Sequence, residues 1–129
     1  MDLDSVFEFV SPKVRDAALK AAAQLSHLGV RHALVGGLAV GAHGYVRATK
    51  DVDFLVGDEA FEHHGLLVTF KSGVPIEVDG IRIDYLSPAA LGANLESALE
   101  AVSESVGVKV IGLEPLIFMK LVARRRQDL

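Results

Sequence analysis

Apolar residues recur along this chain first at helical spacing, then in short unbroken runs, then at alternate positions. Val14, Ala17, Ala18, Ala21, Leu25 and Leu28 share one helical face. Ser11 stands where an N-cap belongs, Pro12 suits the first turn, and Gly29 is a natural stop, so a helix is expected over about 12–28. Residues 33–35 read as a short buried strand. Gly36-Gly37 then turns the chain into a short helix from Leu38 to about His43, which Gly44 ends. Residues 45–50 read as a loop and 51–56 as the next strand. Asp58 is expected to cap a short helical piece containing Phe61, and 66–70 alternates weakly as a strand. The runs 75–78 and 81–86 flank Asp79-Gly80, a two-residue hairpin signal. Ser87-Pro88 is expected to restart helix, with an amphipathic segment over about 95–102. An edge strand is expected over 108–111, and Glu114-Pro115 opens a last helix carrying Leu116, Ile117, Met119, Lys120 and Leu121. This order predicts an α+β fold, a small mixed β-sheet with helices packed against it, in one domain spanning 1–129.

Composition narrows the setting. The chain has 129 residues, enough for a single core. Half are hydrophobic and 23% are charged, as in ordinary globular proteins. The net charge of −4 gives no basic field for generic nucleic-acid binding, and the only basic cluster is Arg124-Arg125-Arg126. With no cysteine, disulfides, thiolate zinc sites and a cysteine nucleophile are excluded. The acidic N-terminus has no apolar signal core, and no apolar run approaches the roughly 18 residues of a membrane span. A cytoplasmic protein without membrane partners is the expectation. The chain stops soon after the basic cluster, which fits either a complete small protein or a truncated C-terminus.

The candidate chemistry lies in two aspartates. Asp51 and Asp53 are two apart at the start of a strand, so their carboxylates point to one face. Asp51 alone reads equally well as a strand cap. Asp53, between Val52 and Phe54-Leu55-Val56, has little use in a packed strand unless it binds something. Paired carboxylates repel, and a hard divalent cation such as Mg²⁺ or Mn²⁺ removes that cost. Gly36-Gly37 offers exposed backbone N–H groups that suit a phosphate, although it also reads as a plain tight turn. Asp84 lies inside an apolar strand, on the face it shares with Arg82 and Leu86. A strand beside that of Asp51 and Asp53 would add it to the site as a third carboxylate. Three carboxylates suffice for two Mg²⁺ ions in phosphoryl or nucleotidyl transfer. Glu77 and Asp79 compete for the third place, and Asp79 is better explained by its turn. No Walker-type loop and no Gly-x-Gly-x-x-Gly is present. His63-His64 reads as solvated surface, and His27, His32 and His43 have no ligand spacing.

Val35-Gly36-Gly37, Asp51-Val52-Asp53 and the lone Asp84 together resemble the signature of the nucleotidyltransferase superfamily with the DNA polymerase β-like fold. Arg47-x-Thr49-x-Asp51-x-Asp53 and the terminal Met119-Lys120-Leu121-x-Ala123, with Arg125 and Gln127-Asp128, make the chain similar to AbiEii-type nucleotidyltransferases, the toxin components of some toxin–antitoxin pairs. The likeness runs from about residue 12 onward, and those relatives usually continue into further helix. The resemblance implies that Asp51 and Asp53 ligate both metals. It implies that Asp84 ligates one and helps deprotonate the acceptor hydroxyl, a placement that favours Asp84 over Glu77. It gives Gly36 and Gly37 close approach to phosphates, Lys120 a contact with the triphosphate, and Arg47 and Thr49 contacts with nucleotide or acceptor. Lys120 reads equally well as a snorkelling helix lysine, and Arg124 to Arg126 as cations favourable at a helix end. The implied activity moves an NMP from an NTP such as ATP to a hydroxyl of RNA (a tRNA end, for instance), of a protein or of a small molecule, with a cognate antitoxin as a further partner. The alternative is a catalytically inactive nucleotide-binding or interaction module with the same fold.

Overall fold

The computed structural model describes residues 1–45, 49–88 and 97–127, and for 122–127 the backbone alone. Along the chain run α1 (Leu3–Phe7), α2 (Pro12–His27), β1 (His32–Val35), α3 (Gly36–Ala42) and β2 (Val52–Val56). A single 3₁₀ turn (Asp58–Ala60) leads into β3 (Phe61–His64) and β4 (Leu67–Phe70). Then come β5 (Glu77–Val78), β6 (Ile81–Leu86), a second 3₁₀ turn (Ser97–Leu99), β7 (Ser103–Ser105), β8 (Val108–Val110) and α4 (Leu113–Gln127). The architecture is α+β: a six-stranded mixed sheet in the order β5-β6-β2-β1-β8-β7, with helices against it and a separate two-stranded hairpin, β3-β4.

Helix α2 starts and stops for local reasons. The Ser11 hydroxyl accepts from the Val14 N–H and Pro12 fills the first turn. At the other end Gly29 takes φ +73°, its N–H reaches the Ser26 carbonyl, and the Val30 N–H reaches that of Leu25, closing a Schellman motif. Ala17, Ala18, Ala21, Ala22 and Leu25 are all buried, and small side chains on this face let the helix lie close on the sheet. Strand β1 is buried at every position, as befits a strand in the middle of a covered sheet.

The sheet register positions the site. β1 and β2 run antiparallel with Val35 opposite Asp53. β2 and β6 run parallel with Asp53 opposite Asp84 and Phe54 opposite Tyr85. A parallel pair needs a long crossover, usually helical. Here the crossover is the β3-β4 hairpin followed by β5. The hairpin stands largely in solvent, and the stacked rings of Phe61 and Phe70, with Phe70 against Tyr85, tie it to the body.

Several expectations are corrected. Phe61 begins a strand, since the helical piece at Asp58 ends after one turn. The strand 108–111 is not an edge, because β7 pairs outside it through a turn at Val106 (φ +47°) and Gly107 (φ +80°). The 95–102 helix is, among its described residues, only the turn Ser97–Leu99, whose Ala98 and Leu99 are buried. The helix expected to restart at Ser87-Pro88 runs into residues outside the described ones. A five-residue helix, α1, is added at the N-terminus: the Asp2 carboxylate accepts from the Ser5 N–H, and Leu3, Val6 and Phe7 are buried. Asp79 (φ +50°) and Gly80 (φ +83°) form the hairpin turn expected of them. Among the described residues no helix is long and apolar enough to cross a membrane.

Candidate functional site

The site is built at the sheet end where β1 stops and β2 and β6 begin. Gly36, at the first turn of α3, has φ +69°, and a Cβ there would stand 2.3 Å from Asp53 Oδ2. A side chain at Gly37 would stand 2.5 Å from Thr49 Oγ1. Each glycine therefore serves a close approach: the backbone of the β1–α3 turn lies directly on Asp53 and on Thr49, and no other residue leaves that room. α3 begins without a side-chain cap, its N-cap being Val35.

Asp53 is half-buried, and its in-register neighbour across the parallel pair is Asp84. Asp51, two residues back, is exposed. Burial first, then the charges of Asp84 and Asp51, push the Asp53 carboxyl up from 3.8 to about 6. Among the described residues no cation or hydrogen-bond donor offsets this. Asp84 is held differently: Arg82, two residues away on the same strand face, places Nε 2.8 Å from Asp84 Oδ1. Ile81, Ile83 and Tyr85 turn to the opposite, packed side, with Ile83 buried and Tyr85 stacked on Phe54. The expected split of β6 into two faces is thus the observed one.

Gly36, Gly37, Thr49, Asp51, Asp53 and Asp84 are therefore gathered at one sheet end. Glu77 sits on the edge strand opposite Arg82 and is exposed. Asp79 is taken up by its turn and by Lys20, whose Nζ lies 2.8 Å from Asp79 Oδ2. Arg47 lies outside the described residues. Lys120 is not brought to the carboxylates. It is exposed on α4 and lines a pocket of about 380 Å³ with Val40, His43, Tyr45, Leu116 and Ile117. His43 donates from Nε2 to the Ile111 carbonyl there. His63 and His64 lie on β3, a strand rather than a helix, beside Asp58 and Glu62. His32 is a core histidine, 2% exposed, hydrogen-bonded to the Val30 carbonyl and edge-on to Phe54.

The oxygen-only donor set of Asp51, Asp53 and Asp84 fits a hard divalent cation, which would offset the cost of burying a charged Asp53 and the repulsion from Asp84 and Asp51 beside it. Among the described residues no three acidic or histidine side chains are gathered into a ready-made cage. Asp51 is exposed, and Asp84 is paired with Arg82. Sequence reasoning missed two contributors. Arg82 competes for Asp84, a pairing implied by the i, i+2 spacing on a strand. Phe70 and Ile76 form a groove next to Asp84, which no local pattern signals. Comparison with protein-family models and with curated proteins gives no match to this chain.

Proposed function

We propose that the chain is a metal-dependent nucleotidyltransferase of the polymerase β-like fold, which moves an NMP from an NTP to a hydroxyl and releases pyrophosphate. The observation that carries this reading is the in-register pair Asp53 and Asp84 on adjacent parallel strands, with Gly36 pressed against Asp53. Charged residues facing each other across a strand pair destabilise the sheet, so the arrangement calls for a bound cation. Mg²⁺ or Mn²⁺ held there supplies charge neutralisation at the phosphates and acidity at the acceptor hydroxyl. Asp51 and Asp53 hold the metal from β2, and Asp84 holds it from β6 and accepts the hydroxyl proton. The backbone at Gly36 and Gly37 lies open to the phosphates because no Cβ intervenes. The triphosphate contact assigned to Lys120 has less support, since the lysine lines a separate pocket. The toxin–antitoxin setting rests on the likeness to AbiEii-type sequences alone.

The test incubates the protein with each of the four α-labelled NTPs, Mg²⁺ or Mn²⁺, total tRNA and a polypeptide acceptor, with Asp53→Asn alongside. Label incorporated by the wild type only is the expected result. Metal-dependent NTP binding without incorporation by any acceptor would point instead to an inactive binding module.

A further inference from the structure

Arg82 stands between two carboxylates on one face of the sheet edge. Asp84 is two residues further along β6, and Arg82 Nε lies 2.8 Å from its Oδ1. Glu77 is directly opposite Arg82 across the antiparallel β5-β6 pair. Residues two apart on a strand share a face, and so do residues directly opposed across a pair. The guanidinium therefore has Asp84 on one side and Glu77 on the other.

The place of Glu77 is fixed by its strand. The two-residue turn at Asp79-Gly80 joins β5 to β6, the Ile83 N–H donates to the Ile76 carbonyl, and the Tyr85 hydroxyl donates to the Pro75 carbonyl. Lys20 pairs with Asp79 at the turn itself. The Glu77 side chain is exposed and, among the described residues, makes no ion pair or hydrogen bond. The Arg82 side chain is 79% exposed, so it can swing from one acid to the other without disturbing the core.

Paired with Asp84, Arg82 offsets one of the two charges that Asp53 and Asp84 bring into register. A divalent cation held by the same carboxylates does the same task. Two cations on one carboxylate repel each other, and Arg82 has a second acid within reach. Resting on the metal site of the nucleotidyltransferase reading, we infer that Arg82 is a two-position arm. It pairs with Asp84 until a divalent cation takes that carboxylate, then swings to Glu77. Arg82 thereby competes with the metal, and Glu77 eases the exchange by receiving the displaced guanidinium. Both are positioning residues, which set how tightly the site fills without ligating the metal. Exposed ion pairs contribute little, so the competition moves the Kd for metal by a few-fold rather than by orders of magnitude.

Mn²⁺ binding is titrated at low salt, where ion pairs are least screened, with free Mn²⁺ followed by its electron paramagnetic resonance signal. Wild type, Asp53→Asn, Arg82→Gln, Glu77→Gln and the double variant E77Q/R82Q are compared, each checked for folding by circular dichroism. Arg82→Gln is expected to tighten binding roughly threefold or more, and Glu77→Gln to weaken it about twofold. Glu77→Gln should lose most of that effect once Arg82 is gone. This loss is the signature of the arm, because a direct pull of the Glu77 charge on the metal would act equally with or without Arg82. Equal weakening by Glu77→Gln in both backgrounds, or weakening in neither, overturns the arm and leaves the metal site standing. Binding left unchanged or weakened by Arg82→Gln does the same. Absence of Asp53-dependent Mn²⁺ binding by the wild type overturns the metal site and the arm with it.

Discussion

The two ends of α3 are both candidate sites, and they are built in opposite ways. At its start the backbone touches carboxylate and hydroxyl oxygens so closely that Gly36 and Gly37 admit no side chain. At its finish His43 and the residues around Lys120 line an open, largely apolar pocket. A lysine on a helix beside an apolar hollow is fully accounted for by its stem covering that hollow. Two carboxylates in register beside a glycine at φ +69° have no comparable structural purpose. The contrast teaches that an arrangement opposing stability asks for a functional explanation in a way that a suitable charge alone does not.

The sharpest way to break the contrast is Asp53→Asn. It should lower nucleotidyl transfer by roughly a hundredfold or more, the order lost when one preorganised electrostatic group is removed. The melting temperature without metal should not fall, because the substitution removes like-charge repulsion. A fully active variant would sink the assignment of this end of α3. Next comes Gly36→Ala. The added Cβ meets Asp53 Oδ2 at 2.3 Å, and the left-handed backbone adds strain, so denaturant unfolding should show a loss of roughly 1–3 kcal/mol with activity falling in parallel.

The third prediction concerns pH. Asp53 holds its proton up to about 6 when folded against an ordinary value of 3.8. The folded state therefore binds more protons between those values. The stability this group lends is complete below about 3.8 and is lost as pH rises through about 6. Melting curves of the metal-free protein should show this decline, Asp53→Asn should flatten it, and millimolar Mg²⁺ should reverse it above pH 6. A metal-induced stabilisation equal at pH 4.5 and pH 7.5 would count against metal binding at Asp53. The smallest effect is expected at the other end: Lys120→Ala should change stability by no more than about 0.5 kcal/mol and leave the KM for NTP nearly as it was.

Much of this was legible from the chain because each clue was a residue out of place. A carboxylate between Val52 and Phe54, another between Ile83 and Tyr85, and Asp79-Gly80 at a turn each violate or satisfy a local rule strongly. That β6 lies beside β2 enters the sequence reading only as the condition under which Asp84 joins the site, and both the pairing and its register are tertiary results that no local pattern gives. The rest was hidden for identifiable reasons. β7 is Ser-Glu-Ser, a poor strand former, and its turn places the β-branched Val106 at φ +47°, where such residues seldom sit. α1 is too short for its spacing of Leu3, Val6 and Phe7 to register as periodicity. Phe61 looked helical because its strand is held by ring contacts with Phe70 rather than by a buried face. Lys120 sits on a helix whose apolar residues are distributed on several sides, so its direction could not be read from spacing.

The pairing of Asp53 with Asp84 has an evolutionary consequence. Side chains alternate along a strand, so sliding β6 by one residue against β2 would set Ile83 or Tyr85 beside Asp53 and turn Asp84 toward the core. The turn at Gly65 and Leu66, by contrast, is wholly in solvent. Insertions and deletions should therefore accumulate at that tip in a lineage that keeps the proposed activity, while the segment from Ile81 to Asp84 keeps its length to the residue.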